Sequence, residues 1–494
     1  MALKREITLT TNEFLATLPI SFLILWACLL LMVDVFLPNK RKDIVAALAA
    51  LGLLISLGLN LAQPLGSLPS SGEGGILDGM LTLDGFSIFL STLFLLSGVI
   101  GIAIAHDYLR RMNLVRGEYY VLLLFSISGM MLMAMAADLI IVFLALELLS
   151  FPLYVLSGIA RPRPESEEAA LKYFLLGAFS SSFVVYGIAL VFGATGTTNL
   201  LSVFQAWDEI GSRLPLLLIG SGLILVGLGF KVAAVPFHMW TPDVYQGAPT
   251  PIVAFMSVGA KAGGFAGLLR VFITAVPNLA VDIAPVLWAL SAATMILGNL
   301  LAIAQTNIKR LLAYSSIAHA GYIMMALVPY GNPAVQDSAV ASALFYLLAY
   351  AFTSFAAWTV VTAVEKSEGQ GLQIDDYAGL GRKYPLLAAA MAAAMFSFTG
   401  IPPTLGFIGK FYLFRTVIEG GYVGLALIGV ITSLVSAYYY LRVVVVMYMR
   451  DGEPVARSET WLNLAAAVSA IGTVALIVLS EPIFRLVSNA VILR

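Results

Sequence analysis

The sequence predicts an all-α polytopic membrane protein with about 14 transmembrane helices. Of its 494 residues, 60% are hydrophobic and only 11% are charged, whereas a soluble protein of this length carries about 25% charged residues. The apolar residues are grouped in runs of about 20, the length that an α-helix needs to cross a bilayer. The net charge of −1 gives no support for nucleic-acid binding. The single cysteine, Cys28, cannot build an iron–sulfur cluster or a cysteine zinc site.

These runs follow one another along almost the whole chain. The polar start lacks the layout of a signal peptide, so we expect the first run to remain as a helix. No connection between runs is long enough to bury a core of its own. The predicted spans are 15–37, 44–63, 84–106, 117–136, 138–159, 169–193, 214–240, 249–276, 283–304, 309–329, 339–364, 385–418, 422–448 and 461–488.

The lysines and arginines of the loops predict the orientation. Sixteen lie on alternate connections that begin with the loop after the first span, and seven lie on the opposite side, which includes both termini. Because cytoplasmic loops carry the excess of positive charge, the sequence predicts both termini on the non-cytoplasmic side of the cell membrane. The seven are Lys4, Arg5, Arg213, Arg270, Arg415, Arg485 and Arg494.

Two spans, the seventh and the twelfth, are interrupted by proline. Pro236 follows Lys231 in the seventh, and Pro402 and Pro403 precede Lys410 in the twelfth. Paired broken helices in corresponding parts of two halves indicate a transporter built from inverted repeats. Spans 4–8 and 9–13 would then be two inverted five-helix repeats, in which broken helices 7 and 12 are each the fourth. The expected segments are 1–116 (three helices), 117–276 (first repeat), 283–448 (second repeat) and 449–494 (C-terminal helix).

Five charged side chains lie inside predicted spans: Glu147, Lys172, Lys231, Lys261 and Lys410. An ionised side chain in mid-membrane costs about 2.5–3.5 kcal/mol on insertion scales, and such residues usually mark ion or proton pathways. Burial and neighbouring cations favour the neutral form of a lysine, so it can exchange a proton near neutral pH. Glu147 and Lys231 could instead be only a buried ion pair that holds helices together. Four lysines against one glutamate favour the pathway.

Four segments carry a resemblance to a known family. They are LALELLSFPLY at 144–154, GFKVAAVPFHMWTPDVYQGAPTP at 229–251, KRLLAYSSIAHAGY at 309–322 and GIPPTLGFIGKF at 400–411. These stretches resemble the proton-translocating, antiporter-like subunits of NADH–quinone oxidoreductase, respiratory complex I. Two features favour one particular member of that family over the others. They are the length of the chain and Lys410, which stands where another member has glutamate.

The resemblance implies a role for each intramembrane charge. Glu147 and Lys231 would form a coupled pair with Lys172 beside them, Lys261 would continue the central axis, and Lys410 would face the outer exit. His238 and His319 would be proton relays, although His238 could simply cap a broken helix and His319 could be a packed core residue. The resemblance further implies no cofactor on this chain. NADH, FMN, iron–sulfur clusters and quinone would be bound by partner subunits of the membrane arm and peripheral arm.

Two other functions remain open from the sequence. A subunit of a multisubunit cation/proton antiporter would have the same fold and carry out no redox chemistry, and its partner subunits would differ. A free-standing transporter is disfavoured because no Asp or Asn cluster offers a sodium or substrate site.

Overall fold

The computed structural model describes residues 10–38, 41–63, 76–366 and 369–488, and these residues form α-helices, short 3₁₀ or π segments and loops. Within these ranges the only β-type pairings are isolated bridges. Four residues that contribute to the orientation argument, Lys4, Arg5, Lys40 and Arg494, lie outside the described residues.

Fourteen helical spans follow the predicted order, and two of them are divided into halves a and b. The helices are α1 (Thr11–Phe36), α2 (Asp43–Leu61), α3 (Gly85–Arg111), α4 (Gly117–Met135), α5 (Leu139–Ser157), α6 (Pro164–Thr195), α7a (Leu214–Val232), α7b (Trp240–Gly247), α8 (Thr250–Ala275), α9 (Ala280–Ile303), α10 (Ile308–Leu327), α11 (Gln336–Val364), α12a (Pro385–Thr399), α12b (Leu405–Glu419), α13 (Val423–Met449) and α14 (Thr460–Ser488).

Twelve helices of the described chain are long and apolar enough to cross a membrane. Two predicted spans, α10 and α12, are outside that set, and the sequence of each explains why. Helix α10 carries Lys309 and Arg310 in its first turn and His319 further on, which lower its apolar character, and α12 is divided into two short halves. The polytopic all-α fold predicted from the sequence is therefore confirmed.

Both interruptions occur where proline was expected to produce them. Helix α7a is followed by Ala233, whose φ of 63° is left-handed, and α12a is followed by Gly400, whose φ of 87° is also left-handed. The chain resumes a helix at Trp240 in one case and at Leu405 in the other. Lys231 lies just before its break and Lys410 lies after its break, so the two lysines do not occupy matching positions along the broken helices.

The helix contacts recur between the two halves of the chain. Helix α4 packs on α5, α6 on α7a, and α8 on both α4 and α7a; correspondingly, α9 packs on α10, α11 on α12, and α13 on both α9 and α12. This recurrence supports the two five-helix units proposed from the sequence. Helix α8 is buried throughout its apolar window, whereas α6 and α14 are the most exposed.

Arg270 does not lie in a loop, as the count of loop charges assumed. It lies near the end of α8, and its guanidinium forms two hydrogen bonds of 2.6 Å with Asp84, which precedes α3. It also donates to the Ala134 carbonyl at the end of α4 and lies over the Phe86 ring. This buried ion pair joins the N-terminal helices to the first unit.

Candidate functional site

Lys231 lies at the end of α7a, with only 5% of its surface exposed. Its ammonium donates to the hydroxyl of Ser150 on α5 at 2.8 Å and to the hydroxyl of Tyr173 on α6 at 2.9 Å. The Tyr173 ring stacks on Trp240, the first residue of α7b. One half of the broken helix thus carries the lysine, and the other packs on Tyr173, one of the two residues whose hydroxyls hold it.

Glu147 lies on α5 three residues before Ser150, so both side chains lie on neighbouring parts of one helix surface. It is partly exposed, and its carboxylate accepts a short hydrogen bond from Ser181 on α6. In the described chain, no ion pair joins Glu147 to Lys231; the lysine instead binds Ser150, three residues after Glu147 on α5. The structure therefore brings the two residues predicted as a pair into one region without direct contact.

Lys172 has a different environment from the other intramembrane lysines. Its side chain is 41% exposed and forms ion pairs with Glu168 at 2.6 Å and with Asp243 on α7b at 2.8 Å. Asp243 also pairs with Arg310 at the start of α10. The structure places Lys172 at the rim of a cavity, whereas its neighbour Tyr173 reaches Lys231.

Lys261 is buried on α8, directly after the π-helical segment Met256–Ala260. Its ammonium donates to the backbone carbonyls of Val232 at 3.2 Å and Ser316 at 2.8 Å. In an uninterrupted helix the Val232 carbonyl would accept from residue 236, but Pro236 has no N–H. Lys261 therefore satisfies a carbonyl that the first broken helix leaves free.

Lys410 repeats this arrangement in the second broken helix. It is buried on α12b and donates to the carbonyls of Phe398 at 2.8 Å and Thr399 at 3.0 Å. Their helical partners would be residues 402 and 403, which are both proline and lack an N–H. The ammonium also donates to the Ser433 hydroxyl at 2.6 Å.

His319 lies on α10 and is fully surrounded by aromatic and hydroxyl side chains. Its Nδ1 is 2.6 Å from the Tyr346 hydroxyl and its Nε2 is 3.0 Å from the Tyr440 hydroxyl. Tyr350 lies against its ring and donates to the Ser316 hydroxyl at 2.9 Å. The Ser316 carbonyl in turn binds Lys261. The tyrosine hydroxyls and the His319 imidazole therefore extend from Lys261 towards the second unit.

This cluster continues to Lys410. Tyr322 lies one turn beyond His319 on α10, their rings are 5.7 Å apart, and the Lys410 ammonium lies 4.8 Å from the centre of the Tyr322 ring. Sequence reasoning did not identify the tyrosines Tyr173, Tyr322, Tyr346, Tyr350 and Tyr440. Of these tyrosines, only Tyr322 lies in one of the four segments that resemble the known family, three residues after His319.

His238 lies in the segment between α7a and α7b. It is partly exposed, and its Nδ1 is buried without a hydrogen-bond partner among the described residues. The hydrogen bonds of this part of the chain do not connect it to Lys231 or Lys261. The structure therefore places it apart from the cluster that contains His319.

None of the ion pairs in the described residues involves Lys231, Lys261 or Lys410. Each ammonium instead binds hydroxyl oxygens, backbone carbonyls or both. A hydroxyl can donate or accept a hydrogen bond, and a carbonyl can accept from an ammonium or from a neutral amine. These three sites can therefore hold lysine in both protonation states.

Comparisons with known proteins agree with this architecture. The family model described as NADH:quinone oxidoreductase/Mrp antiporter, TM, matches residues 136–436. NADH-quinone oxidoreductase subunit N of Chloroflexus aggregans is 46% identical over 480 residues, which cover 96% of each chain. Lys410 and the chain length favoured this member of the family.

Two solved structures contain similar chains. A chain of respiratory complex I from Thermus thermophilus with bound aureothin is 36% identical to this chain, with a TM-score of 0.79. The match covers 94% of this chain and 98% of that one. One in the Mrp complex from Dietzia sp. shares the fold, with a TM-score of 0.84 at 21% identity and 97% of each chain covered. The chain therefore belongs to the subunit N family of NADH-quinone oxidoreductase, within the antiporter-like proteins.

Proposed function

We propose that this chain is a membrane subunit of an NADH–quinone oxidoreductase and translocates protons, coupled to electron transfer from NADH to quinone in partner subunits. Membership of the subunit N family supports this assignment. The chain is proposed to carry no redox centre, since Cys28 is its only cysteine. FMN, iron–sulfur clusters and quinone would be bound by other subunits of the peripheral and membrane arms.

One observation carries the proposal: three buried lysines, for which the described residues provide no ion-pair partner, lie along a polar axis. Lys231 is held by hydroxyls, Lys261 by carbonyls, and Lys410 by both. A structural lysine buried in a membrane protein would be expected to pair with a carboxylate, because an uncompensated buried charge is costly. A lysine that gains and loses a proton during translocation, in contrast, is expected to lack a carboxylate partner.

The route is proposed to run from Lys231 to Lys261 and then through the His319 cluster to Lys410. Val232, whose carbonyl binds Lys261, adjoins Lys231 in the chain. Glu147 would modulate the protonation of Lys231 from its position on α5, and Lys172 would act at the rim. His238 stays a weaker candidate relay, because no hydrogen bond in the described residues connects it to this route.

The excess of positive loop charges supports an orientation with both termini on the non-cytoplasmic side. The chain would then pass through the cell membrane fourteen times. Lys410, in the second unit, would guard the exit on the outer side.

Substitution of Lys231 tests the proposed function. Lys231→Ala removes the proton carrier, and Lys231→Arg keeps a positive charge that does not release its proton. In inside-out vesicles that contain equal amounts of assembled complex, both variants should lose most NADH-driven proton uptake. Normal uptake by Lys231→Arg would show that only a fixed charge is required, which would contradict the proposal.

The family description and the shared fold also favour a second candidate, a subunit of a multisubunit cation/proton antiporter. The two candidates differ in their partners. Purification of the chain from its native membrane should recover flavin and iron–sulfur subunits. Recovery of small membrane antiporter subunits alone would favour the second candidate.

A further inference from the structure

A cavity of about 630 Å³ lies among the start of α6, the end of α11 and the segment between α7b and α8. The surrounding loops belong to the side that carries the excess of positive charge. Six charged side chains line the cavity in addition to Glu365: Arg163, Glu165, Glu168, Lys172, Asp243 and Lys309. This charged lining is suited to hold water and to exchange protons with the aqueous phase.

Glu365 lies at the buried wall of this cavity, directly after the last residue of α11, and is 3% exposed. Its carboxylate accepts hydrogen bonds from the hydroxyls of Tyr108 on α3, at 3.3 Å, and Thr250 at the start of α8. No ion pair in the described part of the chain involves Glu365. Its direct donors are therefore neutral hydroxyls, which can also accept a hydrogen bond from a protonated carboxyl.

Lys309 supplies a buried positive charge on another wall of the same cavity. It is 2% exposed, and its ammonium donates to the Ala248 carbonyl at 2.7 Å. Tyr108 adjoins Arg111 through a cation–π contact of 5.6 Å. Neither cation forms an ion pair with Glu365 among the described residues, so the carboxylate stays available to a proton from cavity water.

Helices α8 and α11 connect this site to the lysine axis. Glu365 and Ser354 are separated by three turns of α11, about 16 Å, so they lie on the same face. The Ser354 hydroxyl is 2.9 Å from the hydroxyl of Ser257, which lies in the π segment immediately before Lys261. The buried Trp358 lies between Glu365 and Ser354 along this face.

We propose that the cavity is a proton-uptake vestibule and that Glu365 is its proton-accepting residue. Glu365 takes a proton from hydronium in the cavity, which leaves water and a neutral carboxyl. It then releases the proton towards Lys261, whose neutral amine becomes an ammonium. This inference rests on the proposed proton translocation and adds its entry site.

The test uses Glu365→Gln in the assembled complex, in inside-out vesicles. Glutamine keeps an acceptor oxygen for the two hydroxyls but cannot carry the proton. We expect NADH-driven proton uptake, measured at equal amounts of assembled complex, to fall about tenfold or more, as for loss of a proton-transfer group. Glu365→Asp should recover most of the uptake. The control variant is Glu453→Gln. The Glu453 side chain is 88% exposed and pairs with Lys383, so this substitution should leave proton uptake unchanged.

A purely structural role for Glu365, as a counter-charge for Lys309, gives a different result. In that case Lys309→Met would restore uptake to Glu365→Gln, because both buried charges would be gone. The proposal predicts no restoration. Normal uptake by Glu365→Gln, or its rescue by Lys309→Met, would overturn the inference. If uptake is normal in Lys231→Ala as well, the proposed function itself fails.

A measurement on the unmodified complex covers the case in which Glu365→Gln does not assemble. Hydrophobic carbodiimides react with protonated buried carboxyls, so at acidic pH peptide mass spectrometry should find an adduct on Glu365, and at alkaline pH much less. Absence of the adduct at every pH would overturn the assignment of Glu365 as a protonatable site.

Discussion

Gly400 offers a test of Lys410 that leaves the lysine itself in place. Gly400 ends α12a with a φ of 87°, and a Cβ built on it would lie 3.0 Å from Cδ of Lys410 and 3.6 Å from its Nζ. Gly421 provides a matched control, since its φ is 90° and nothing lies within 4 Å of a Cβ built there. Comparison of Gly400→Ala with Gly421→Ala therefore separates backbone strain from displacement of the lysine.

The expected magnitude follows from the contacts of each glycine. Both substitutions incur the cost of a left-handed alanine, about 1–2 kcal/mol, so backbone strain alone should lower the thermal stability of the two variants by similar amounts. Only Gly400→Ala also crowds the Lys410 side chain, which must shift by a few tenths of an ångström relative to the carbonyls and hydroxyl that it binds. Loss of one hydrogen bond of a charged group costs about 1.5–3 kcal/mol, which corresponds to about a tenfold change or more in occupancy of that position.

The assay is NADH-driven proton uptake in vesicles that contain equal amounts of assembled complex. We expect uptake to fall strongly in Gly400→Ala and to stay near the unmodified rate in Gly421→Ala. If both variants pump equally, the exact position of the Lys410 ammonium has no role in translocation, and the reasoning from its three contacts is wrong.

Two further predictions concern other charged side chains. Glu147→Gln and Lys231→Ala should each impair proton uptake, and the double variant should be little worse than either, because residues that act as one unit are not additive; losses that multiply would show independent roles. Asp84→Asn leaves Arg270 as an unpaired buried charge, at a cost of about 3–5 kcal/mol. The melting temperature of the solubilised complex should therefore fall, whereas Asp208→Asn at an exposed site should leave it unchanged.

The spans and breaks could be predicted because each depends on local sequence. A run of about 20 apolar residues is sufficient to define a span, and proline interrupts a helix wherever it occurs in its interior. Intramembrane charges are equally visible, because they stand out against their apolar neighbours. Helix caps are local in the same way: Asp138 immediately precedes α5, and its carboxylate accepts from the backbone N–H of Ile140.

The contacts of the lysines could not be predicted, because they depend on how separate helices face one another. Ser150 and Tyr173 are ordinary helix residues until packing places both beside Lys231. The same applies to Lys172, whose partner Asp243 is 71 residues away in the chain. The π segment before Lys261 also escaped prediction, since no apolar pattern distinguishes it from an α-helix.

The proline breaks and the lysines are two parts of one arrangement. Pro236, Pro402 and Pro403 each remove the N–H that the carbonyl four residues earlier would bind. Inside a membrane a free carbonyl must find another donor, and in both units that donor is a lysine ammonium, Lys261 or Lys410. A helix break therefore creates a binding site for a cation in a region that otherwise excludes charge. Because a neutral amine also donates to these carbonyls, the site keeps its lysine in place when the proton leaves.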